Sequence, residues 1–224
     1  MRAIFRILTV TLLGLSSAGA ASITIVNPGF ESDAGLVNAG TTWSDNTPTG
    51  WLDPDNPGTN ANSNFLENIG GFASDGIVHL GFDANENGII YQDLSTAWAP
   101  NTKYTLTLGV GRRAGFGAGQ ALIGLASNSG TVVSNDSFST AAFSSLVNTG
   151  NFVLSDGTFA DTSLTFTTGA VAPTGNIRLF VKEVDTVSRI HVDNFRLDAV
   201  TVPEPSTLAL LGACTGLLIR RRRR

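Results

Sequence analysis

The chain has 224 residues, enough for one large domain or two small ones, and its only cysteine is Cys214. Seven basic and seventeen acidic residues lie between residues 21 and 200, and this acidic balance argues against a nucleic-acid partner, which requires clustered Lys and Arg. The same region holds no thiol, which excludes disulfides, zinc-thiolate sites and cysteine nucleophiles there.

Residues 1–20 have the three parts of a secretory signal peptide. Arg2 and Arg6 give a positive start, and Ile7 to Leu15 form an apolar segment. Ala18 and Ala20 are the small residues that a signal peptidase accepts. We therefore expect cleavage after Ala20, with an uncleaved anchor as the alternative.

The region from residue 21 to residue 200 consists of short alternating runs separated by Gly, Asn, Asp, Ser and Pro. In Thr102 to Val110 the apolar side chains share one face, which is the pattern of a half-buried strand. Similar runs are Ser22 to Val26, Gly76 to Phe82, Gly88 to Leu94, Gln120 to Ala126, Gly150 to Leu154, Thr162 to Thr168, Gly175 to Lys182 and Arg189 to Val200. About nine or ten strands predict an all-β fold, a two-sheet antiparallel β-sandwich or jelly roll, with residues 33–75 mainly as loop.

The last of these runs changes phase in its middle. Ile190 and Val192 share one parity, whereas Phe195 and Leu197 share the other. A β-bulge at Asp193 and Asn194 would return both apolar pairs to the core and change the direction of the Asp193 side chain.

Two oxygen-rich loops resemble parts of calcium loops. The segment from Asp83 to Gly88 has the first half of an EF-hand pattern, but Leu94 stands where the bidentate Glu belongs. A hairpin turn at Asn87-Gly88 is favoured instead. The segment from Asp53 to Gly58 matches the pattern less well.

Four side chains are candidates for a sugar-binding surface. Trp43 and Phe116 lie in loops rich in Gly and Thr, where an aromatic face can stack on a sugar ring, whereas Trp51 is expected to be buried. Arg112 and Arg113 end a strand, and their guanidinium groups can bind hydroxyls or acidic sugars. Solvated charges are the equally weighted alternative for the arginines.

The sequence gives little support for catalysis. It has no Gly-x-Ser-x-Gly and no His-Glu-x-x-His motif. His79 and His191 fall within predicted strands, where histidines are more often hydrogen-bonded structural side chains than bases. We therefore expect a non-enzymatic protein.

The C-terminal tail, residues 201–224, has three ordered parts. Pro203, Glu204 and Pro205 form a Pro-Glu-Pro motif, Ser206 to Ile219 is mostly apolar, and the chain ends in Arg220, Arg221, Arg222, Arg223 and Arg224. This order resembles the PEP-CTERM sorting signal, which implies processing near the motif by the membrane protease exosortase. The apolar stretch is shorter than the roughly 20 residues of a stable span, which suits a transient inner-membrane anchor with its arginines in the cytoplasm.

The domain between the two ends resembles carbohydrate-binding modules and other galactose-binding-like sandwiches. Two segments carry the resemblance: Val26-Asn27-Pro28-Gly29-Phe30-Glu31 and Ile190-His191-Val192-Asp193-Asn194-Phe195-Arg196-Leu197. In those modules, carboxylates at the positions of Glu31 and Asp193 help to bind a structural calcium. The resemblance therefore implies a calcium ion here, with a hydrogen-bonded Asp193 at a kink as the alternative.

These observations predict an exported, exosortase-sorted protein of the cell surface or extracellular matrix of a Gram-negative bacterium. Exosortase systems are associated with exopolysaccharide production, so the resemblance implies non-catalytic binding of an extracellular polysaccharide, as in a biofilm matrix. A structural or adhesive matrix protein is the second hypothesis, and a polysaccharide hydrolase is the third.

Overall fold

A computed structural model describes residues 19–37, 42–54, 64–83, 88–117, 119–128, 155–184 and 188–203. This part of the chain forms two antiparallel sheets that pack face to face. The all-β sandwich predicted from the alternating runs is confirmed, with ten strands in the described residues.

In the described part of the chain, the larger sheet, sheet A, contains seven strands. Its order is β2-β3-β4-β10-β6-β8, and β1 also pairs with β10, beside the end of β4. The bounds are β1 Ala21–Ile23, β2 Trp43–Ser44, β3 Asn64–Glu67, β4 His79–Phe82, β6 Thr102–Arg112, β8 Thr158–Thr167 and β10 Ile190–Thr201.

The smaller sheet, sheet B, has the order β5-β9-β7. Its strands are β5 Ile89–Ala97, β7 Ala121–Ser127 and β9 Asn176–Glu183. A 3-10 helix at Glu31–Asp33 and a single helical turn, α1 at Ala34–Val37, follow β1.

The core lies between the inner faces of the two sheets. In sheet A, Leu66, Leu80 and Val192 are fully buried register partners across β3, β4 and β10. They pack with sheet B side chains such as Ile90 and Leu179. Because successive residues of a strand point to opposite faces, the neighbours of these residues lie on the outer face of sheet A.

The β-bulge predicted in the closing strand is present. Between Asp193 and Arg196, β10 advances three residues while β6 advances two, from Gly109 to Thr107. Asn194 takes a positive φ of 54° at this point. The extra residue keeps both Val192 and Phe195 buried, as the phase change required.

The described residues between 33 and 75 are mainly loop, as predicted, but the prediction missed two short strands. Strands β2 and β3 lie within that range and form one edge of sheet A. All four residues of β3 are buried, so its sequence lacks the alternation that identifies a half-exposed strand. The expected strand at Gly150 to Leu154, Asn87 of the expected turn and most of the loop from Asp53 to Gly58 lie outside the described residues.

Candidate functional site

An open cleft of about 320 Å³ lies at the edge of sheet A that contains β2 and β3. Nearly all of its lining side chains occupy outer-face positions, on the opposite parity from the core residues of the same strands. The lining residues are Thr42, Trp43, Asp45, Phe65, Glu67, Asp83, Arg113 and Arg189. The cleft therefore combines two aromatic rings with three carboxylates and two guanidinium groups.

The charged side chains of the cleft are held by one another. Arg113 Nη1 donates to Oε1 of Glu67 over 2.7 Å, and Arg189 forms an ion pair with Asp83. Burial raises the pKa of Asp45 above its usual range, and the negative charge of Asp83 raises it further. These contacts fix the cleft's donors and acceptors in place before any ligand arrives.

The structure brings together three of the four candidate sugar-binding residues. Trp43 and Arg113 both line the cleft, and 51% of Trp43 is exposed. The half-buried ring of Phe116 lies 5.1 Å from the guanidinium carbon atoms of both Arg113 and Arg189. Arg112 does not line the cleft: its Nε donates to the carbonyl of Phe116 over 2.8 Å.

Next to the cleft, three buried side chains converge on one point. His79 Nε2 lies 3.5 Å from Oε2 of Glu67, and His191 Nδ1 lies 3.8 Å from the same oxygen. The two imidazole rings are 5.1 Å apart between centroids. We call Glu67, His79 and His191 the His-Glu cluster.

A row of register partners makes room for these rings. Phe65, Gly81, His191, Gly111 and Phe159 stand side by side across five strands. A Cβ atom at Gly81 would lie 2.4 Å from the Phe65 ring, and one at Gly111 would lie 2.5 Å from the Phe159 ring. The two glycines therefore let large rings lie flat over the sheet on either side of His191.

Sequence reasoning did not find the His-Glu cluster. It treated both histidines as hydrogen-bonded structural side chains, but none of their four ring nitrogens has a hydrogen-bond partner in the described part of the chain. Burial lowers the pKa of His191 well below its usual value, and the positive charges of His79, Arg113 and Arg189 lower it further. Each histidine directly precedes a core residue of its strand, His79 before Leu80 and His191 before Val192, so both point to the outer face of sheet A. This alternation could have been read from the sequence.

The two residues expected to bind calcium hold the same loop. Glu31 Oε1 accepts from the amides of Ile77 and Val78, both at 2.7 Å. Asp193 Oδ2 accepts from the amides of Ser74 and Asp75, at 2.7 and 2.9 Å. The two carboxylates thus fix opposite ends of one short segment, and the calcium ion stays a prediction.

If calcium joins Glu31 and Asp193, it stabilises the folded chain alone. We expect the melting temperature of the chelator-treated protein to rise on addition of millimolar calcium, by the equivalent of about 2.7 kcal/mol at a hundredfold excess over Kd. Thermal melts with EDTA and then with calcium measure this, and Asp193→Ala should abolish the rise. Identical melts of metal-free wild type with and without calcium would reduce both carboxylates to hydrogen-bond acceptors.

Two family models match this sequence. The model of the HpiC1-like family, described as HpiC1 cyclase, matches residues 21–198, and the chain therefore belongs to the HpiC1-like family. The PEP-CTERM protein-sorting motif matches residues 201–224, which confirms the resemblance of the tail and marks an exported protein with a transient membrane anchor. A search of curated proteins gave no match.

Solved structures share the sandwich. A cyclase from Fischerella sp. TAU is 21% identical, with a TM-score of 0.60 over 83% of this chain and 100% of its own. A cyclase from the same source in complex with 4-(1H-indol-3-yl)butan-2-one is 22% identical, with a TM-score of 0.59 over 82% and 100%. A xylan-binding CBM22-1 domain from Paenibacillus barcinonensis Xyn10C is 11% identical, with a TM-score of 0.45 over 85% and 100%.

The predicted processing sites lie almost entirely beyond the described residues. Of the signal-peptide pair, Ala20 is described and directly precedes β1, whereas Ala18 is not. In the tail, Pro203 is described, whereas Glu204, Pro205 and the five arginines are not. No helix among the described residues is long and apolar enough to cross a membrane. Cleavage after Ala20 and cutting near Pro203 stay predictions.

Proposed function

We propose that this exported protein binds a segment of extracellular polysaccharide in the cleft of sheet A, without changing it chemically. The observation that carries the proposal is the position of Trp43. Its half-exposed side chain lines a cleft whose remaining walls are largely charged or polar. Export through a PEP-CTERM signal supports the proposal, because extracellular polysaccharides lie outside the cytoplasm.

The chemistry of the cleft suits a sugar. An aromatic face offers apolar contact to the C–H side of a sugar ring, while carboxylates and guanidinium groups satisfy the hydroxyls at its rim. The volume of about 320 Å³ is near the lower end of the usual range for ligand sites, roughly 300 to 1,000 Å³. It therefore suits a short stretch of a longer polysaccharide chain.

Membership of the HpiC1-like family supports a second candidate, a cyclase, and the Fischerella cyclase in complex with 4-(1H-indol-3-yl)butan-2-one supports a small aromatic molecule as its substrate. In this chain the cleft carries Asp45, Glu67, Asp83, Arg113 and Arg189. An apolar ring would displace water from these charged groups and would not replace the hydrogen bonds that the water made, which costs free energy. The polysaccharide is therefore the better fit to this cleft.

Replacing Trp43 tests the proposal. We expect Trp43→Ala to raise the Kd for the retained polysaccharide about tenfold, the equivalent of about 1.4 kcal/mol, because the stacking face is lost. Affinity electrophoresis of the exported protein in gels of neutral and acidic polysaccharides measures the retention.

The matched control is Leu52→Ala. Leu52 is 48% exposed, like Trp43, but does not line the cleft, so its replacement should leave retention unchanged. Equal retention of wild type and Trp43→Ala would contradict the proposal. Binding of 4-(1H-indol-3-yl)butan-2-one by wild type, with no polysaccharide retained, would favour the cyclase instead.

A further inference from the structure

The His-Glu cluster has the composition of a transition-metal site. Glu67 comes from β3, His79 from β4 and His191 from β10, three adjacent strands of sheet A. One ligand atom from each residue can be chosen so that all three lie within 4.8 Å of one another. Sheet pairing therefore holds two imidazoles and one carboxylate around a common point.

The ligand atoms lack other partners. His79 and His191 are fully buried, Glu67 is 3% exposed, and neither Oε2 of Glu67 nor any ring nitrogen has a hydrogen-bond partner among the residues described. Each buried polar atom left without a partner costs about 1 to 3 kcal/mol. Several such atoms aimed at one point indicate a group that satisfies them together.

A direct hydrogen bond does not explain the distances. The 3.5 and 3.8 Å separations exceed the 2.7 to 3.2 Å typical of a hydrogen bond from nitrogen to oxygen. Bonds of about 2.0 to 2.1 Å to a tetrahedral ion set neighbouring ligand atoms roughly 3.3 to 3.4 Å apart. The two carboxylate-to-imidazole distances would need to shorten by only about 0.1 to 0.5 Å, and the distance between the imidazole ligand atoms lies within 4.8 Å before any ion binds.

Neighbouring side chains hold the ligands in place. Arg113 occupies Oε1 of Glu67, so that Oε2 is left for the histidines. Phe72 contacts His79 and His191 edge to face, with ring centroids 5.1 and 5.3 Å away. These contacts restrict the rotamers of all three ligands, as expected of a site formed before its ion binds.

We propose that Glu67, His79 and His191 bind one divalent transition-metal ion of the zinc class beside the cleft. Two imidazoles and one carboxylate suit Zn²⁺ and its neighbours, whereas Ca²⁺ and Mg²⁺ prefer sites made entirely of oxygen. Glu67 also lines the cleft, so the ion would lie directly beside it. The cleft has three carboxylates and two arginines, and the excess negative charge offsets part of the positive charge of the bound ion.

The test is metal binding by the mature exported chain, made without a histidine tag. After removal of metal with a chelator, we expect one equivalent of Zn²⁺ to bind and raise the melting temperature, and Co²⁺ to give the visible absorption of a tetrahedral site. Calcium and magnesium at the same concentration should not displace either ion. Absence of stoichiometric Zn²⁺ binding by folded wild type would overturn the proposal.

Glu67→Gln, His79→Gln and His191→Gln separate this site from adventitious binding. Each should weaken Zn²⁺ binding at least a hundredfold. Asp161→Asn changes an exposed carboxylate on the same face of sheet A and should leave Zn²⁺ binding unchanged. Binding equal to wild type in all three variants would refute the assignment. Should a variant fail to fold by circular dichroism, the Co²⁺ spectrum of wild type decides alone. Polysaccharide retention plays no part in these measurements.

Discussion

Asp193→Ala is expected to destabilise the domain by about 3 to 5 kcal/mol at pH 5. The Asp193 side chain is fully buried, and it accepts hydrogen bonds from the amides of Ser74, Asp75 and Asn194. Its removal leaves three amides without an acceptor and releases the loop that leads into β4. Urea unfolding of metal-free protein, monitored by circular dichroism, measures the change.

The size of this effect should depend on pH. Burial raises the pKa of Asp193 to about 7, although its three amide donors act in the opposite direction. Because the pKa of Asp193 in the folded state lies above the ordinary aspartate value of 3.8, its favourable contribution to stability is complete below pH 3.8 and is lost as the pH rises through 7. The difference between wild type and Asp193→Ala should therefore shrink by about 2 to 3 kcal/mol from pH 5 to pH 8.

Asp161→Ala is the matched control for this experiment. Asp161 pairs with Gly109, as Asp193 does, but its side chain is 53% exposed and contacts Arg196 at 2.8 Å. Its loss should cost less than about 1 kcal/mol at either pH. A difference between wild type and Asp193→Ala that widens from pH 5 to pH 8 would show that the amides, rather than burial, set the protonation of Asp193.

Phe195→Ala should cost about 3 to 5 kcal/mol in the free energy of unfolding, as expected for a large cavity in a core. The Phe195 ring contacts Phe30 edge to face at 6.1 Å and Trp51 at 5.1 Å between centroids. The amide of Phe195 also donates to the carbonyl of Pro28 over 2.9 Å. This aromatic cluster joins the first and last segments of a domain that has no disulfide.

Phe195→Leu is the matched variant, since it keeps most of the buried volume and should cost only about 1 to 2 kcal/mol. Thermal and urea unfolding of both variants at one pH separate the cavity from any local rearrangement. A loss below 1 kcal/mol for Phe195→Ala would mean that Phe30 and Trp51 close the gap.

Much of the fold follows from local patterns in the sequence. Alternation identified most strands, and the change of parity around Asp193 located the bulge before any pairing was known. Burial of Trp51 was also predicted, and only 4% of it is exposed. β3 was missed because a fully buried strand of four residues carries no alternating signal.

The site was harder to predict because it depends on pairing between distant strands. Trp43 and Arg113 were singled out one by one, and only the register of sheet A shows that both line one cleft. His79 and His191 lie 112 residues apart, on neighbouring strands whose pairing no local pattern specifies. The chemistry of each side chain can be inferred from the sequence one residue at a time. Which side chains meet at one point follows only from the order and register of the strands.

The position of β10 has a mechanical consequence. This strand pairs with β6 on one side and with β1 and β4 on the other, and it ends at Thr201, two residues before Pro203. A pulling force applied through the C-terminal tail therefore reaches the domain along the strand that carries His191 and Asp193. Because hydrogen bonds on both flanks share that force, sheet A transmits tension from the tail towards the cleft without first peeling away an edge strand.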